Sequence, residues 1–578
     1  MMSTNEAVAR MFERIADALE LKGETGFRVL AYRRAARVLL EQADDLSRLA
    51  EGDTLEQLPG IGKALAAKVR EYLATGRMKK YEEAVAGLPD ELFGLLNLQG
   101  LGPKTLKLLH DSLRVDNLAD LKAALRDGRV AALPGMGPGK VANLDRAVRL
   151  REMAGKRMLL NEARELAERA IGHLKPLVPG GLIAPAGSFR RGRETVGDID
   201  ILAASDNPAG VIERFTLLPG VRQVLTQGDT KASLIADGIG GRRQLDLRVV
   251  EPGAWGAALQ YFTGSKDHNV RLRGLARKLG LKVSEYGVFR DETRIAGRTE
   301  EEVYAALGLP FIAPELREDS GEFEAAETGK LPELVRLEDL KSDLHMHTSM
   351  SDGAASLDTM LAACSKRGYT HVAVADHSVS AGYAGGLDEG RLLRHCDRVD
   401  EWNARDNQPH LLKASEVDIT PSGALDFPDT VLERLDLVIA SIHQGFRHNA
   451  TERMCAALAH PLVHIVAHPS GRIIGRREGY AIELDRVIET AARYGRVLEI
   501  NAFYGRLDLS DAWARKAKVA GVRIAINTDA HAVEDLDWMR YGVATARRAW
   551  IEKQNVINTL SFTRLVKLLR SMRADRGS

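Results

Sequence analysis

Apolar residues recur every three or four positions through most of the first 150 residues, as in Val8, Met11, Phe12, Ile15 and Leu19. That spacing places them on one face of a helix, so this region is predicted to be helical throughout. The pattern breaks three times in the same way, at LPGIG (58–62), LQGLG (98–102) and LPGMG (133–137). From about Leu182 the period shortens to β-branched and apolar runs such as DIDILAA and QLDLRVV, which predict a sheet with helices. Beyond residue 340, seven short apolar runs alternate with helical stretches, at 342–345, 371–375, 411–414, 437–442, 463–467, 497–500 and 522–526. Seven strand-helix alternations predict a β/α barrel or a doubly wound sheet.

Length and composition add little that this pattern lacks. At 578 residues the chain is long enough for several domains of about 100–200 residues each. Its longest stretch free of Asp, Glu, Lys and Arg, 454–471, holds three His and two Pro, so no membrane span is expected. Charges at Arg10, Glu13, Arg14 and Asp17 interrupt any apolar leader, and three scattered Cys fit a reducing setting, so a cytoplasmic protein is expected.

Charge changes the picture more. The formal net charge of +1 argues at first against a nucleic-acid partner. It is a cancellation. Residues 1–310 carry 47 Lys plus Arg against 41 Asp plus Glu, while residues 311–340 carry 3 against 9. The acidic stretch, with Glu318, Asp319, Glu322, Glu324 and Glu327, reads as a solvated linker over 319–340.

A helix that restarts after Gly-x-Gly leaves backbone N–H groups unpaired at its N-terminus, and these bind phosphate without reading sequence. Gly60 and Gly62, Gly100 and Gly102, and Gly135 and Gly137 form the three turns, with Lys63, Lys104 and Lys140 just beyond them. An ordinary tight turn explains one such motif, but not three alike.

Within GSFRRGRETVGDID (187–200), Asp198 and Asp200 lie two apart on a predicted strand and so face the same way. Asp246, in QLDLRVV, stands on another strand. Carboxylates arranged like this can hold two Mg²⁺ ions that clamp an in-line phosphoryl transfer. Gly187 and Ser188 allow close backbone approach to a triphosphate, and Arg191 can add a charge-assisted contact.

Histidine is concentrated in the last part of the chain, with 12 of 15 beyond residue 340. His345 and His347, Asp352, His377, Glu416, His443, His468, and Asp529 with His531 follow the predicted strands, as donors do at the functional end of a barrel. Six imidazoles and three carboxylates suit two or three ions such as Mn²⁺, Zn²⁺ or Fe²⁺, which activate water for attack on phosphorus.

GSFRRGRETVGDID, QLDLRVV and YFTGSKDHN (261–269) together resemble the palm and nucleotide-binding motifs of family X DNA polymerases. The glycine turns resemble that family's helix-hairpin-helix elements, and the histidine set resembles a polymerase and histidinol phosphatase (PHP) domain. The resemblance implies a multidomain α+β chain: a gap-binding helical domain with the first hairpin at 1–85, further helix-hairpin-helix structure at 86–150, and a nucleotidyltransferase palm at 151–255. A thumb at 256–318, the acidic linker and a distorted (β/α)7 PHP barrel at 341–578 complete it. It also implies a monomeric, bacterial-type repair polymerase that fills short gaps in DNA with dNTPs. The barrel would act as a 3′-5′ exonuclease with activity on 3′-blocked or abasic ends.

Carried over by position, Asp198, Asp200 and Asp246 match the Mg²⁺ or Mn²⁺ ligands, and Ser188, Arg191 and Gly197 match triphosphate contacts. Tyr261, Phe262 and Asn269 match residues around the incoming nucleotide, and Arg273 one near the template. Lys68 matches the Schiff-base lysine of lyase-active members. Arg472, in the loop AHPSGR, is read as a phosphate contact or, equally, a surface ion pair. Lys266 departs from the family, which carries an acidic residue there, and so does Arg28, which replaces a lysine. The alternative is a phosphoesterase of small phosphates tethered to a DNA-binding module.

Overall fold

The computed structural model describes residues 4–24, 27–40, 46, 50, 55–58, 61–98, 101–381, 384–405, 409–446 and 448–574. The chain forms two units: Met1–Gly155 with Gly475–Arg477, and the remainder.

The first unit is helical, as its period predicts, with helices at Thr4–Leu21, Phe27–Leu40, Lys63–Thr75, Lys79–Val85, Pro103–Leu113, Leu118–Arg126 and Pro138–Lys156 among others. The apolar stripe is its core: Val8, Phe12 and Ile15 are fully buried against Tyr32, Leu106 and Leu121. The middle residue of each glycine turn, Ile61, Leu101 and Met136, is buried as well, so the three turns are pinned alike. Each donates its N–H three residues back, to Leu58, Leu98 and Leu133. Gly60 and Gly100 lie outside the described residues.

In the second unit a five-stranded sheet has the order β2-β4-β7-β6-β5, from β2 (Ile183–Pro185), β4 (Ile199–Ala204), β5 (Val221–Gln227), β6 (Lys231–Gly238) and β7 (Gly241–Val250). The short β1 (Met158–Leu159) and β3 (Thr195–Val196) pair with each other beside it. Only β4 and β7 run parallel. Alternation divides β4 between two cores. Ile199, Ile201 and Ala203 pack with the helices Leu160–Leu174 and Pro208–Thr216, while Leu202 and Ala204 pack beneath the helix Trp255–Thr263. A three-stranded antiparallel sheet follows, with β8 (Lys282–Ser284), β9 (Gly287–Arg290) and β10 (Thr293–Ala296).

The acidic stretch is not the solvated linker its composition suggests. Phe323, Ala326 and Leu334 enter the core of the three-stranded sheet, and Glu322 is fully buried. Its carboxylate accepts from the N–H groups of Asp319 and Ser320 and from His268 Nδ1, which repays the desolvation that composition alone could not foresee.

The last sheet has six parallel strands in sequence order, β11 (His371–Val374), β12 (His410–Asp418), β13 (Leu437–Ser441), β14 (Ile465–Val466), β15 (Val497–Asn501) and β16 (Ile524–Asn527). The seventh predicted strand, 342–345, does not form one. The chain there still joins the sheet's two edges, because Met346 bridges both Val374 and Ala530. The ladder is broken where Leu344 N donates to the Asn527 side chain instead of a carbonyl. No helix among the described residues is long and apolar enough to cross a membrane.

Candidate functional site: two cation-demanding centres

Parallel pairing of β4 with β7 sets Asp200 directly opposite Asp246, and Asp198 lies just before β4. Asp200 and Asp246, 46 positions apart in the chain, are thus brought side by side, with Asp198 close to them. Burial, reinforced by Asp198 and Asp246, holds the Asp200 carboxyl up to about 7, while Arg191 opposes the rise. A carboxylate pushed that far is neutral below about pH 7 unless a cation lies beside it, and three carboxylates so close make a fitting seat for one. Gln244 Nε2 donates to both Asp246 oxygens, at 3.1 and 3.0 Å, and orients them.

Gly187 starts the short helix Gly187–Arg190 with φ +59, and a Cβ there would sit 2.0 Å from Asp200 Oδ2. Only glycine leaves that carboxylate its place. Ser188 lies in the same helix, and Gly197 directly before Asp198. A cavity of about 240 Å³ opens between Asp200, Asp246, Lys231, Arg248 and Phe262. Tyr261 and Phe262 meet edge to face with centroids 5.2 Å apart. Asn269 Nδ2 donates to the Tyr261 carbonyl at 2.7 Å, and its Oδ1 accepts from Gln260, so this side chain braces the helix end. Arg273, exposed and one turn further on, donates to the Asn269 carbonyl. Arg191 points into an ion pair with Glu318, 3.1 Å, and donates to the Thr263 carbonyl, 2.7 Å.

The second centre gathers all nine predicted donors. Three overlapping groups, His347/Asp352/His377/His531, His345/His347/Asp529 and His377/Glu416/His443, each bring their ligand atoms within 4.8 Å of one another. His468 joins through Nε2, 3.0 Å from Glu416 Oε1. Nε2 of His345, Nδ1 of His347 and Oε2 of Glu416 are buried without a hydrogen-bond partner, the state expected of atoms that face an ion.

Protonation follows the crowding. Burial opposes the charge on His345, yet Glu499, Glu416 and Asp529 hold it well above the ordinary value. Burial and the neighbouring His531 and His377 push His347 down to about 4. Glu416 and Asp529 lie well below the carboxylate range despite burial, drawn down by the surrounding imidazoles.

Sequence reasoning missed the groups that orient this set. His345 Nδ1 meets Glu499 Oε1 at 2.8 Å, and Glu499 also accepts from Asn527 Nδ2 and from His468 N. Asp418 holds His443 Nδ1 at 2.7 Å. Such carboxylates fix the ring and tautomer of a ligating histidine. Their signal was present: Glu499 is an acidic residue inside a strand buried throughout, and Asp418 ends a strand buried from Ala414 onward. Arg472 lies elsewhere, with Nη2 2.8 Å from Glu194 and donating to the Leu507 carbonyl.

In the helical unit, Lys63 and Lys104 fall in the first turns of helices that follow Gly62 and Gly102, neither of which has a side-chain cap. Gly135, with φ +74, and Gly137 precede the third. The first turns, KALA, PKTL and PGKV, carry no acidic residue, so their N–H groups and dipoles are open to an anion. The second turn shares a cleft with Glu20 and Glu24, whose charge opposes a phosphate there. Lys68 Nζ donates to the Ala64 carbonyl at 2.7 Å, and burial with Lys80 lowers its pKa.

Family models match along the chain: a helix-hairpin-helix domain at 3–78, a SAM-like helix-hairpin-helix tandem at 93–147, the DNA polymerase beta thumb at 258–318 and a PHP domain at 343–503. The DNA polymerase/3′-5′ exonuclease PolX of Bacillus subtilis (strain 168) is 40% identical over 559 residues, 96% of this chain and 97% of its own length. DNA polymerase lambda of Rattus norvegicus is 28% identical over 345 residues, 54% of this chain and 56% of its own. A probable phosphatase of Thermoanaerobacter sp. (strain X514) is 30% identical over 232 residues, 38% of this chain and 89% of its own. Similarity that runs through hairpins, thumb and PHP domain alike spans both centres, and the chain belongs to the PolX family of DNA polymerase/3′-5′ exonucleases.

Proposed function

We propose that the protein is a repair DNA polymerase that fills short gaps, as in base excision repair, and trims 3′ ends with its PHP domain. The observation that carries this reading is that one chain holds two separate cation-demanding centres, the carboxylate triplet of β4 and β7 and the nine-donor cluster at the ends of β11–β16. A phosphoesterase of small phosphates would need only the second. Domain limits at 85, 150, 255, 318 and 340 and a monomeric state belong to the same reading.

Divalent cations, Mg²⁺ or Mn²⁺ at the triplet and two or three of Mn²⁺, Zn²⁺ or Fe²⁺ at the cluster, supply charge neutralisation and activation of the attacking oxygen. Asp198, Asp200 and Asp246 would hold the first set. Gly187, Ser188 and Gly197 leave room for the triphosphate, to which Arg191, whose charge acts on the Asp200 carboxyl, would add a contact. Tyr261, Phe262 and Asn269 wall the incoming nucleotide, with Arg273 towards the template. The hairpin turns at Gly60/Gly62, Gly100/Gly102 and Gly135/Gly137, with Lys63, Lys68 and Lys104, hold the DNA backbone, chiefly through the first and third. In the barrel, His345, His347, Asp352, His377, Glu416, His443, His468, Asp529 and His531 hold the ions beside a 3′ end or abasic site. Arg472 would reach phosphate only by leaving Glu194.

Primer extension and 3′ degradation on gapped DNA with Mn²⁺ test the assignment. Asp200→Asn is expected to abolish extension and leave degradation, and Asp529→Asn to do the reverse. Extension that survives Asp200→Asn, or normal degradation by Asp529→Asn, refutes it.

A further inference from the structure

The segment that carries Gly187, Ser188 and Arg191 does not rest on its own sheet alone. Its C-terminal end lies against the helix Met539–Arg548 of the PHP barrel: a Cβ added to Gly192 would sit 3.2 Å from Ala544 Cβ. The next turn of that helix supplies Arg548, whose side chain is 6% exposed. Its guanidinium makes three contacts at once. Nη1 donates to Glu318 Oε1 at 2.9 Å and to the Arg191 carbonyl at 3.1 Å, and Nε donates to Asp511 Oδ2 at 2.8 Å.

Glu318 Oε1 is the same oxygen that accepts from Arg191 Nε. Arg191 is therefore held twice by Arg548, through its backbone carbonyl and through the carboxylate its side chain grips. A second hold on the Arg191 guanidinium comes from the Thr263 carbonyl, at the end of the helix that carries Tyr261 and Phe262. Arg191 in turn is the cation that opposes the rise of the Asp200 carboxyl. Charge-assisted hydrogen bonds thus run from the barrel through Glu318 to Arg191, whose charge acts on the carboxylate triplet and whose N–H bonds back to Gly187 beside Asp200. A guanidinium spread over three acceptors is pre-organised, so little entropy remains to be lost when the site fills.

We propose that Arg548 is a positioning residue for the nucleotidyl-transfer centre, so that the PHP domain holds the triphosphate-facing segment of the polymerase in place. This rests on the polymerase reading of the triplet. Arg548 touches none of the nine donors, so its effect falls on nucleotide use. The adjacent Arg547 provides an internal comparison. It grips Glu315, at 2.7 and 3.2 Å, and the Val335 carbonyl, and so joins the barrel helix to the thumb without reaching Arg191.

The test uses the full-length protein on a one-nucleotide gap with a single complementary dNTP. Arg548→Ala is expected to raise KM for dNTP about tenfold, the scale of one lost charge-assisted hydrogen bond, with kcat and 3′ degradation within about twofold of wild type. Arg548→Lys, which keeps the charge on Glu318, recovers part of the loss. Arg547→Ala leaves KM at the wild-type value. An unchanged KM in Arg548→Ala, or an equal rise in Arg547→Ala, overturns the proposal, since the second result would mean only that the domains dock less well.

Amide exchange without substrate separates this from the polymerase reading. Arg191 N, Gly192 N and Arg193 N donate to Gly187, Phe189 and Ser188 carbonyls. Their exchange is expected to be at least about tenfold faster in Arg548→Ala than in wild type or Arg547→Ala, because the segment's outer hold is gone. Unchanged exchange overturns the positioning role. A wild-type protein that extends no primer, with the exchange difference present, overturns the polymerase reading alone.

Discussion

Replacing Gly187 by alanine adds one methyl group at the most crowded point of the carboxylate triplet. The added Cβ would lie 2.0 Å from Asp200 Oδ2, where ordinary contact begins at 3.4 Å, so about 1.4 Å must be absorbed by the carboxylate or the segment. The backbone adds its own cost, since φ is +59 at Gly187 and a left-handed conformation costs an L-residue about 1–2 kcal/mol. Asp200 stands opposite Asp246, so the shift is taken directly from the geometry that would hold two cations. Misplacement by about 1 Å costs roughly a hundredfold in rate, equivalent to about 2.7 kcal/mol of barrier. Single-turnover gap filling at saturating dNTP is therefore expected to slow by about a hundredfold or more in Gly187→Ala, with 3′ degradation unchanged because that centre lies on another sheet. Extension within about threefold of wild type would falsify the placement of Gly187 against the catalytic carboxylate.

Three further outcomes follow from particular contacts. Glu499→Gln keeps the size but weakens the hold on His345 Nδ1, so 3′ degradation is expected to fall by about 10–100-fold, with tighter dependence on added Mn²⁺ and normal extension; an unchanged metal titration would count against an orienting role. If Lys68, whose pKa burial and Lys80 lower, acts as a lyase nucleophile, borohydride traps the protein on a 5′ deoxyribose phosphate end, and Lys68→Ala abolishes the adduct; trapping that persists in Lys68→Ala assigns the adduct to another amine. His268, fully buried between Glu322 and the Tyr304 hydroxyl, is held by burial below its ordinary value of 6.5. The fold disfavours its proton relative to the unfolded chain, so stability is full above pH 6.5 and declines as pH falls below it. Thermal melts between about pH 7.5 and 5.5 should show a shallower slope for His268→Gln, and equal slopes would rule out this contribution.

Much of both centres was legible in the chain because the signals are local. Strand alternation predicts a shared face for Asp198 and Asp200 and for His345 and His347, and both pairs do converge, although Asp198 lies just before β4 and 342–345 forms no strand. The nine barrel donors stood out because most follow short apolar runs, and the structure brings all of them together. The three hairpin turns repeat in their hydrogen bonds as they do in their letters. The acidic stretch misled for a physical reason. Composition averages over residues, whereas burial of Glu322 depends on His268, 54 positions away, and on two N–H groups aimed at one carboxylate.

The sequence by itself determined the secondary-structure periods, the chemistry of the donors and the two kinds of centre, since residue type and short spacing encode these. Only the tertiary structure decided the rest. Asp246 became Asp200's neighbour through the register of β4 and β7, Glu499 became the anchor of His345 from 154 positions away, and Arg191 was tied to Arg548 across 357. Such partners are chosen by how whole elements pack, and a buried charge is tolerated only where packing supplies its counter-charge.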